Sequence, residues 1–221
     1  MKVLAIIPAY NEESTIQEVI AQTKQFVSDV VVVDDGSKDT TAVIAKKSGA
    51  IVLSLPINRG LGSALRTGFL YAVTKKYDAA VTLDADLQHE PSEIPKFIEK
   101  LAQGNHVVIG TRLLNKTGHM PWYRILFNKV GNIITPHGSK TTDSQSGFRA
   151  FSLHALQTLE LKSERMEISS EIIGETFRKK LAYTEVPIQA IYTAYSLSKG
   201  QSIIEGLRTL WRLHVVSKFL K

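Results

Sequence analysis

Apolar positions in the first half of the chain fall into short continuous runs, and these alternate with longer stretches of helical period. Lys2 to Ile7, Asp29 to Val33, Ala50 to Leu55, Ala79 to Leu83 and Asn105 to Gly110 read as strands. Their near-continuous apolar character fits a sheet covered on both faces. Between them, Ser14 to Phe26, a segment running to Lys47, Leu61 to about Lys76, and Ser92 to Gln103 read as amphipathic helices. Gly49 and Gly104 close two of these helices, and Ser92 reads as the cap of the last. Strictly alternating strands and helices with short loops predict an α/β fold, a mostly parallel, doubly wound sheet flanked by helices.

The regularity breaks after Arg112. Asn115 to His119 is a polar loop, Pro121 to about Ile134 a helix, and Pro136 to Ser146 a turn-rich segment. Gly147 to Phe151 reads as a short strand. Leu153 to Leu159 and Glu167 to Lys180 read as helices, and Tyr183 to Tyr192 as a late strand interrupted by Pro187. No linker or internal repeat divides the chain, so 1–221 is read as a single domain. In 201–221 apolar residues surround a helix that also carries Arg208, Arg212, His214, Lys218 and Lys221. That pattern suits core packing or contact in a homo-oligomer; its alternative is a helix lying on a membrane surface.

Composition narrows the partners. With 221 residues, 43% hydrophobic and 22% charged, the chain is an ordinary globular one. It has no cysteine, so disulfides and thiolate metal sites are excluded and a reducing, cytoplasmic location is expected. The start reads as a first strand instead of a leader, and no apolar run approaches the roughly 18 residues of a membrane span. A net charge of +6 points to an anionic partner. With aromatic residues at only 8% and no dense basic block, nucleic acid is not expected.

The chemistry concentrates in loops. In a parallel sheet the loops after strands one, two and four open on one edge. They carry Pro8-Ala9-Tyr10-Asn11-Glu12, Asp34-Asp35-Gly36-Ser37 and Asp84-Ala85-Asp86-Leu87-Gln88. Tyr10 can pack on a planar base, and Asp35 or Glu12 can accept from base or ribose donors. Asp84 and Asp86 can converge on one hard cation, with Gln88 adding a neutral oxygen; the plainer alternative is a pair of solvated carboxylates in a turn. In Asn58-Arg59-Gly60-Leu61-Gly62, close backbone approach, a helix N-terminus and Arg59 or Arg66 offer an anion site. The glycine-free first loop argues against a dinucleotide enzyme, and no G-x-x-x-x-G-K-[ST] motif is present. Glu167 and Glu171, one helical turn apart, read as a solvated face.

Taken in order, Pro8-Ala9-Tyr10-Asn11-Glu12, Val32-Val33-Asp34-Asp35-Gly36-Ser37 and Asp84-x-Asp86 resemble a family 2 glycosyltransferase of GT-A fold. Asn58-Arg59-Gly60, Asp84-Ala85-Asp86-Leu87-Gln88-His89, Gly110-Thr111-Arg112 and Asp143-Ser144-Gln145-Ser146-Gly147-Phe148-Arg149 narrow the resemblance to the dolichol-phosphate mannosyltransferase-like, polyprenyl-phosphate group. It runs from about Lys2 to Lys199. The resemblance implies an inverting enzyme that moves mannose or glucose from a nucleoside diphosphate sugar (GDP-mannose or UDP-glucose) to a polyprenyl phosphate. It makes 1–112 the nucleotide-sugar half and 113–200 the acceptor side, with 201–221 a possible dock on the cytoplasmic face of a membrane or on a membrane protein. Pro8, Tyr10, Glu12, Asp35, Asn58, Arg59, Asp84 and Lys199 would hold the donor, and Asp84, Asp86 and Gln88 would hold Mg²⁺ or Mn²⁺. Arg112 and Arg149 would bind phosphate. Asp143 is the base candidate if the acceptor is a saccharide hydroxyl, the alternative substrate class; a nucleotide-binding module without catalysis is the alternative of a different kind. The chain departs from the group's pattern after the late strand, where Lys199 is the one cation near the expected arginine.

Overall fold

In the computed structural model, residues 1–112, 141–189 and 191 are described. The first half follows the predicted alternation: β1 (Val3–Ala9), α1 (Ile16–Thr23), β2 (Asp29–Asp34), α2 (Thr41–Lys47), β3 (Ile51–Ser54), α3 (Leu61–Thr74), β4 (Ala79–Thr82), α4 (Ile94–Ala102) and β5 (Val107–Thr111). The second half adds β6 (Arg149–Ser152), α5 (Leu153–Thr158), α6 (Ile168–Arg178) and β7 (Tyr183–Pro187). The expected polar loop over 115–119, the expected helix over 121–134, the start of the turn-rich segment (136–140), and everything after Ile191, including Lys199 and 201–221, lie outside the described residues. Among the described residues no helix is long and apolar enough to cross a membrane.

The strands form one seven-stranded sheet in the order β3-β2-β1-β4-β6-β5-β7. Its two faces explain the continuous apolar runs. Ala5, Ile7, Val30 and Val32 pack with Ile16, Ile20 and Phe97 on one side. Leu4, Ile6, Val31 and Val33 pack with Phe69, Phe151 and Ile172 on the other. Successive side chains point to opposite faces, and both faces are covered. Gly68 lets α3 lie close on β1, because a Cβ there would strike the Ile6 side chain.

The sheet is mostly parallel, as expected, with β6 running antiparallel to both of its neighbours, β4 and β5. Two expectations are revised. The turn before α4 is a 3-10 turn (Pro91–Glu93) capped by the Glu90 side chain, which accepts from the Ser92 N–H, so Ser92 is not the cap. The late strand ends at Pro187, and one further amide, that of Ile188, donates to the Thr111 carbonyl of β5 (3.0 Å).

Candidate active site

The exit loops of β1 and β2 are braced against each other at the carboxyl edge of the sheet. The Asn11 N–H donates to Ser37 Oγ (2.9 Å), its side-chain oxygen accepts from the Lys38 N–H (2.8 Å), and the Glu12 N–H donates to Thr41 Oγ1 (2.8 Å). Asn11 sits at φ 55°, a conformation its short polar side chain tolerates. The bracing leaves Tyr10 38% exposed, directly after β1 at the carboxyl edge of the sheet. Pro8 lines the cleft floor with Leu61, Asp84, Gly147 and Arg149.

Asp35 is buried, and its two oxygens accept the backbone N–H groups of Arg59 (2.8 Å) and Gly60 (2.7 Å). It therefore clasps β2 to the start of α3. The anion site expected at that helix start is instead filled by protein. The Ser63 N–H donates to the Glu164 carbonyl (3.0 Å), and a Cβ at Gly62 would collide with the Ser163 carbonyl oxygen. The glycines there admit a neighbouring segment instead of a phosphate. Arg66 likewise donates to the Lys162 carbonyl (2.9 Å). Asn58 is exposed at the rim, and Arg59 reaches Glu164 across 2.6 Å, both half-exposed, so that pair contributes little and is easily exchanged. Glu171 is half-buried, and beyond the expected solvated face it accepts the N–H groups of Lys162 (2.8 Å) and Ser163 (2.9 Å).

The second acid pair is differently placed. Beyond β4, Asp84 and Asp86 enter a tight turn in which Leu87 takes φ 63°, a left-handed conformation that leucine rarely adopts. The Gln88 N–H and side-chain amide both donate to Asp86 (3.1 and 2.6 Å). Gln88 thus touches Asp86 through nitrogen and steadies the carboxylate. Asp84 keeps 42% of its side-chain surface, yet lies at the bottom of a cleft whose walls displace bulk water. That loss of hydration raises its pKa; Arg112 and Arg149 pull it back down and Glu12 raises it further. The Asp86 pKa is raised too, first by burial and then by the charge of Asp84. Gly147 is what allows the opposite wall to approach: a Cβ there would sit 2.5 Å from Asp84 Oδ1. Sequence reasoning left His89 without a role. Its buried ring accepts the Asp84 N–H at Nδ1 (3.1 Å), and burial lowers its pKa to about 4.

Arg112 and Asp143 come together as a fork, with Nε to Oδ2 at 2.7 Å and an outer nitrogen to Oδ1 at 2.8 Å. The Asp143 carboxylate is fully buried and Arg112 keeps 16% of its side-chain surface. Arg149 is also buried; it donates to the Ser144 carbonyl (2.6 Å), and burial lowers its pKa to about 10, which leaves it cationic at neutral pH. Two residues missed in the sequence brace this group. Glu185 on β7 accepts the Thr142 N–H (2.7 Å) and hydroxyl (2.8 Å), and Thr142 in turn meets the Thr111 hydroxyl (2.6 Å). Only the pairing of β7 with β5 brings Glu185 there. One edge of the sheet thus gathers an exposed ring, two carboxylates that resist ionising together, and two arginines. Among the described residues, no three His, Asp or Glu side chains form a metal cage by themselves.

Comparison with known proteins identifies the family and the fold. Residues 4–158 match the family model of glycosyl transferase family 2. A UDP-N-acetylglucosamine–dolichyl-phosphate N-acetylglucosaminyltransferase of Methanococcus voltae is 37% identical, over 94% of this chain and 93% of its own. A dolichol-phosphate mannosyltransferase of Pyrococcus furiosus is 34% identical, over 96% of this chain but 64% of its own. Glucosyl-3-phosphoglycerate synthase of Mycobacterium tuberculosis, solved with Mn²⁺, UDP-glucose and phosphoglyceric acid, has the same fold, with a TM-score of 0.76 at 22% identity, covering 98% of this chain and 78% of that one. The chain belongs to glycosyl transferase family 2 and is a glycosyltransferase of GT-A fold.

Proposed function

We propose that the enzyme transfers a sugar from a nucleoside diphosphate sugar to a polyprenyl phosphate, with a divalent cation bound at Asp84 and Asp86. The observation that carries this reading is the acid pair itself: two carboxylates in one short turn, Asp84 lining the cleft, both raised in pKa by burial and Asp86 further by the charge of Asp84, a crowding that a cation would relieve. Mg²⁺ or Mn²⁺ fits that donor set, since hard cations take carboxylate oxygens and complete their shell from phosphate and water. When bound, it supplies charge neutralisation for the departing diphosphate. Tyr10 and Pro8 form the wall for the base, and Glu12 and Asp35 lie beside it. Asn58 and Arg59 stand at the rim. Lys199, outside the described residues, remains a further candidate for the donor.

In the transfer, an acceptor oxygen forms a bond to the anomeric carbon while the bond from that carbon to the diphosphate oxygen breaks. The electron pair leaves with the nucleoside diphosphate. A phosphate acceptor is already ionised and needs no base. This suits the state of Asp143, whose carboxylate is buried in the fork with Arg112 and is ill placed to take a proton from a saccharide hydroxyl. We therefore assign Asp143 the task of aiming Arg112, and give Arg112 and Arg149 the phosphate charge. Two relatives named for dolichyl phosphate acceptors support the same substrate class, and with it a site of action at a membrane surface.

The test is incubation with labelled GDP-mannose, UDP-glucose or UDP-N-acetylglucosamine, with short polyprenyl phosphates or saccharides, with and without EDTA. Label should enter the lipid fraction and disappear with EDTA. Transfer to saccharides alone would refute the lipid acceptor, and turnover undiminished by EDTA would refute the cation.

A further inference from the structure

The turn that carries the acid pair is held against its own preferences. Leu87 is left-handed (φ 63°), a conformation that costs a leucine energy and persists only where the surroundings hold it. The sheet stops supporting it early. The Leu83 N–H makes the last long ladder bond, to the Ile6 carbonyl at 3.3 Å, and the next amide, that of Asp84, donates to His89 Nδ1. The His89 ring is 5% exposed and packs on Phe148 (centroids 5.1 Å apart), which stacks on Phe97 (4.3 Å). Phe148 directly follows Gly147, the residue that lets the opposite wall touch Asp84. One buried stack therefore connects the core to the backbone of the first carboxylate.

We infer that His89 is a positioning residue: its neutral ring, with Nδ1 as acceptor and the proton on Nε2, fixes the shape of the 84–88 turn so that the two carboxylates face one cation. Nε2 lies 3.7 Å from Asp84 Oδ2, outside hydrogen-bond range, so the ring constrains that carboxylate without consuming its acceptor sites. Glu90 caps the following turn and the Ile191 N–H donates to the Gln88 carbonyl (3.0 Å), so the far end of the turn is anchored separately. Between Leu83 and Gln88, the backbone of Asp84 is held by His89.

This inference rests on the proposed cation site, and its test separates the two. Mn²⁺ binding with UDP or GDP, read by electron paramagnetic resonance, would be compared in the wild type, His89→Asn and His89→Leu. Asparagine keeps an acceptor near the Nδ1 position, whereas leucine keeps bulk and loses the acceptor. His89→Leu should weaken Mn²⁺ binding by about tenfold or more, and raise the Mn²⁺ concentration for half-activation by the same factor. His89→Asn should stay within about threefold of the wild type. Equal loss in both variants, or wild-type binding in His89→Leu, would overturn the inference; a wild type that binds no Mn²⁺ with either nucleotide would overturn the cation site and the inference with it. If His89→Leu does not fold, imidazole ¹⁵N shifts of the wild type decide: a proton on Nε2 supports the role and a proton on Nδ1 refutes it.

Discussion

The chain carries two acid pairs at strand ends, Asp34-Asp35 after β2 and Asp84/Asp86 after β4, and they have opposite fates. In the first pair the carboxylates are met by backbone. Asp34 accepts the Ser37 N–H at 3.2 Å, and Asp35 accepts those of Arg59 and Gly60. In the second pair Asp86 accepts the Gln88 N–H and side-chain amide from within its own turn, and burial and neighbouring charge still raise both pKa values. Composition does not distinguish the pairs; the reach of their donors does. Asp35, answered by the backbone of a distant segment, becomes a joint, whereas acids crowded into one turn become a candidate cation site.

The contrast can be broken from either side. Asp86→Asn should reduce kcat/KM on the order of 10³-fold, equivalent to about 4 kcal/mol, while leaving the melting temperature equal or higher because a repulsion is removed. Radiolabel transfer assays beside a thermal melt would check both halves. Asp35→Ala should behave the other way round. It strands two backbone donors and should lower stability by about 2 to 4 kcal/mol, read from urea midpoints.

Each pair also has one glycine that its geometry requires. At Gly36 (φ 70°) a Cβ would meet the Ile57 backbone at 2.6 Å, so Gly36→Ala should cost about 1 to 3 kcal/mol of stability. At Gly147 the obstacle is the Asp84 carboxylate, the end of a movable side chain. Gly147→Ala should therefore cost under about 1 kcal/mol of stability but lower kcat/KM by about tenfold, which paired unfolding and kinetic measurements would resolve.

The smallest effect concerns pH. The folded state holds protons on Asp84 and Asp86 at a pH where the unfolded chain has released them. Their contribution to stability is therefore full at acid pH and is lost as pH rises through the raised folded-state values. Metal-free protein should show that decline, Asp86→Asn should flatten it, and added Mn²⁺ should raise the melting temperature more at neutral than at acid pH.

Much of this was legible beforehand because it is local. Continuous valine runs mark strands covered on both sides, and acids directly after such runs mark the functional edge of the sheet. What was not legible depends on which distant segments meet. Nothing within Arg149-Ala150-Phe151-Ser152 states that it runs against its neighbours. Gly60 and Gly62 announce close approach without saying that Ser163 to Arg165 is what approaches. Asp143 looks like a free base until Arg112 is set beside it, and Glu185 enters only through the pairing of β7 with β5. His89 lies inside the motif itself, but its acceptor role requires the turn to fold back on Asp84.

The reversed strand β6 also sets an order of assembly. β4 and β5 do not pair with each other; β6 lies between them and bonds to both. A nascent chain that has emerged only as far as Arg112 holds the acid pair and most of the donor wall, yet its β5 has no strand beside it. The polypeptide must wait until Arg149 to Ser152 is available before the sheet can close, and the same four residues deliver Arg149 to the cleft. A fragment ending at Arg112 should accordingly remain sensitive to protease where the longer chain resists. One late strand thus joins the two parts of the sheet and brings Arg149 to the cleft, and β7 then adds the outer edge beside β5.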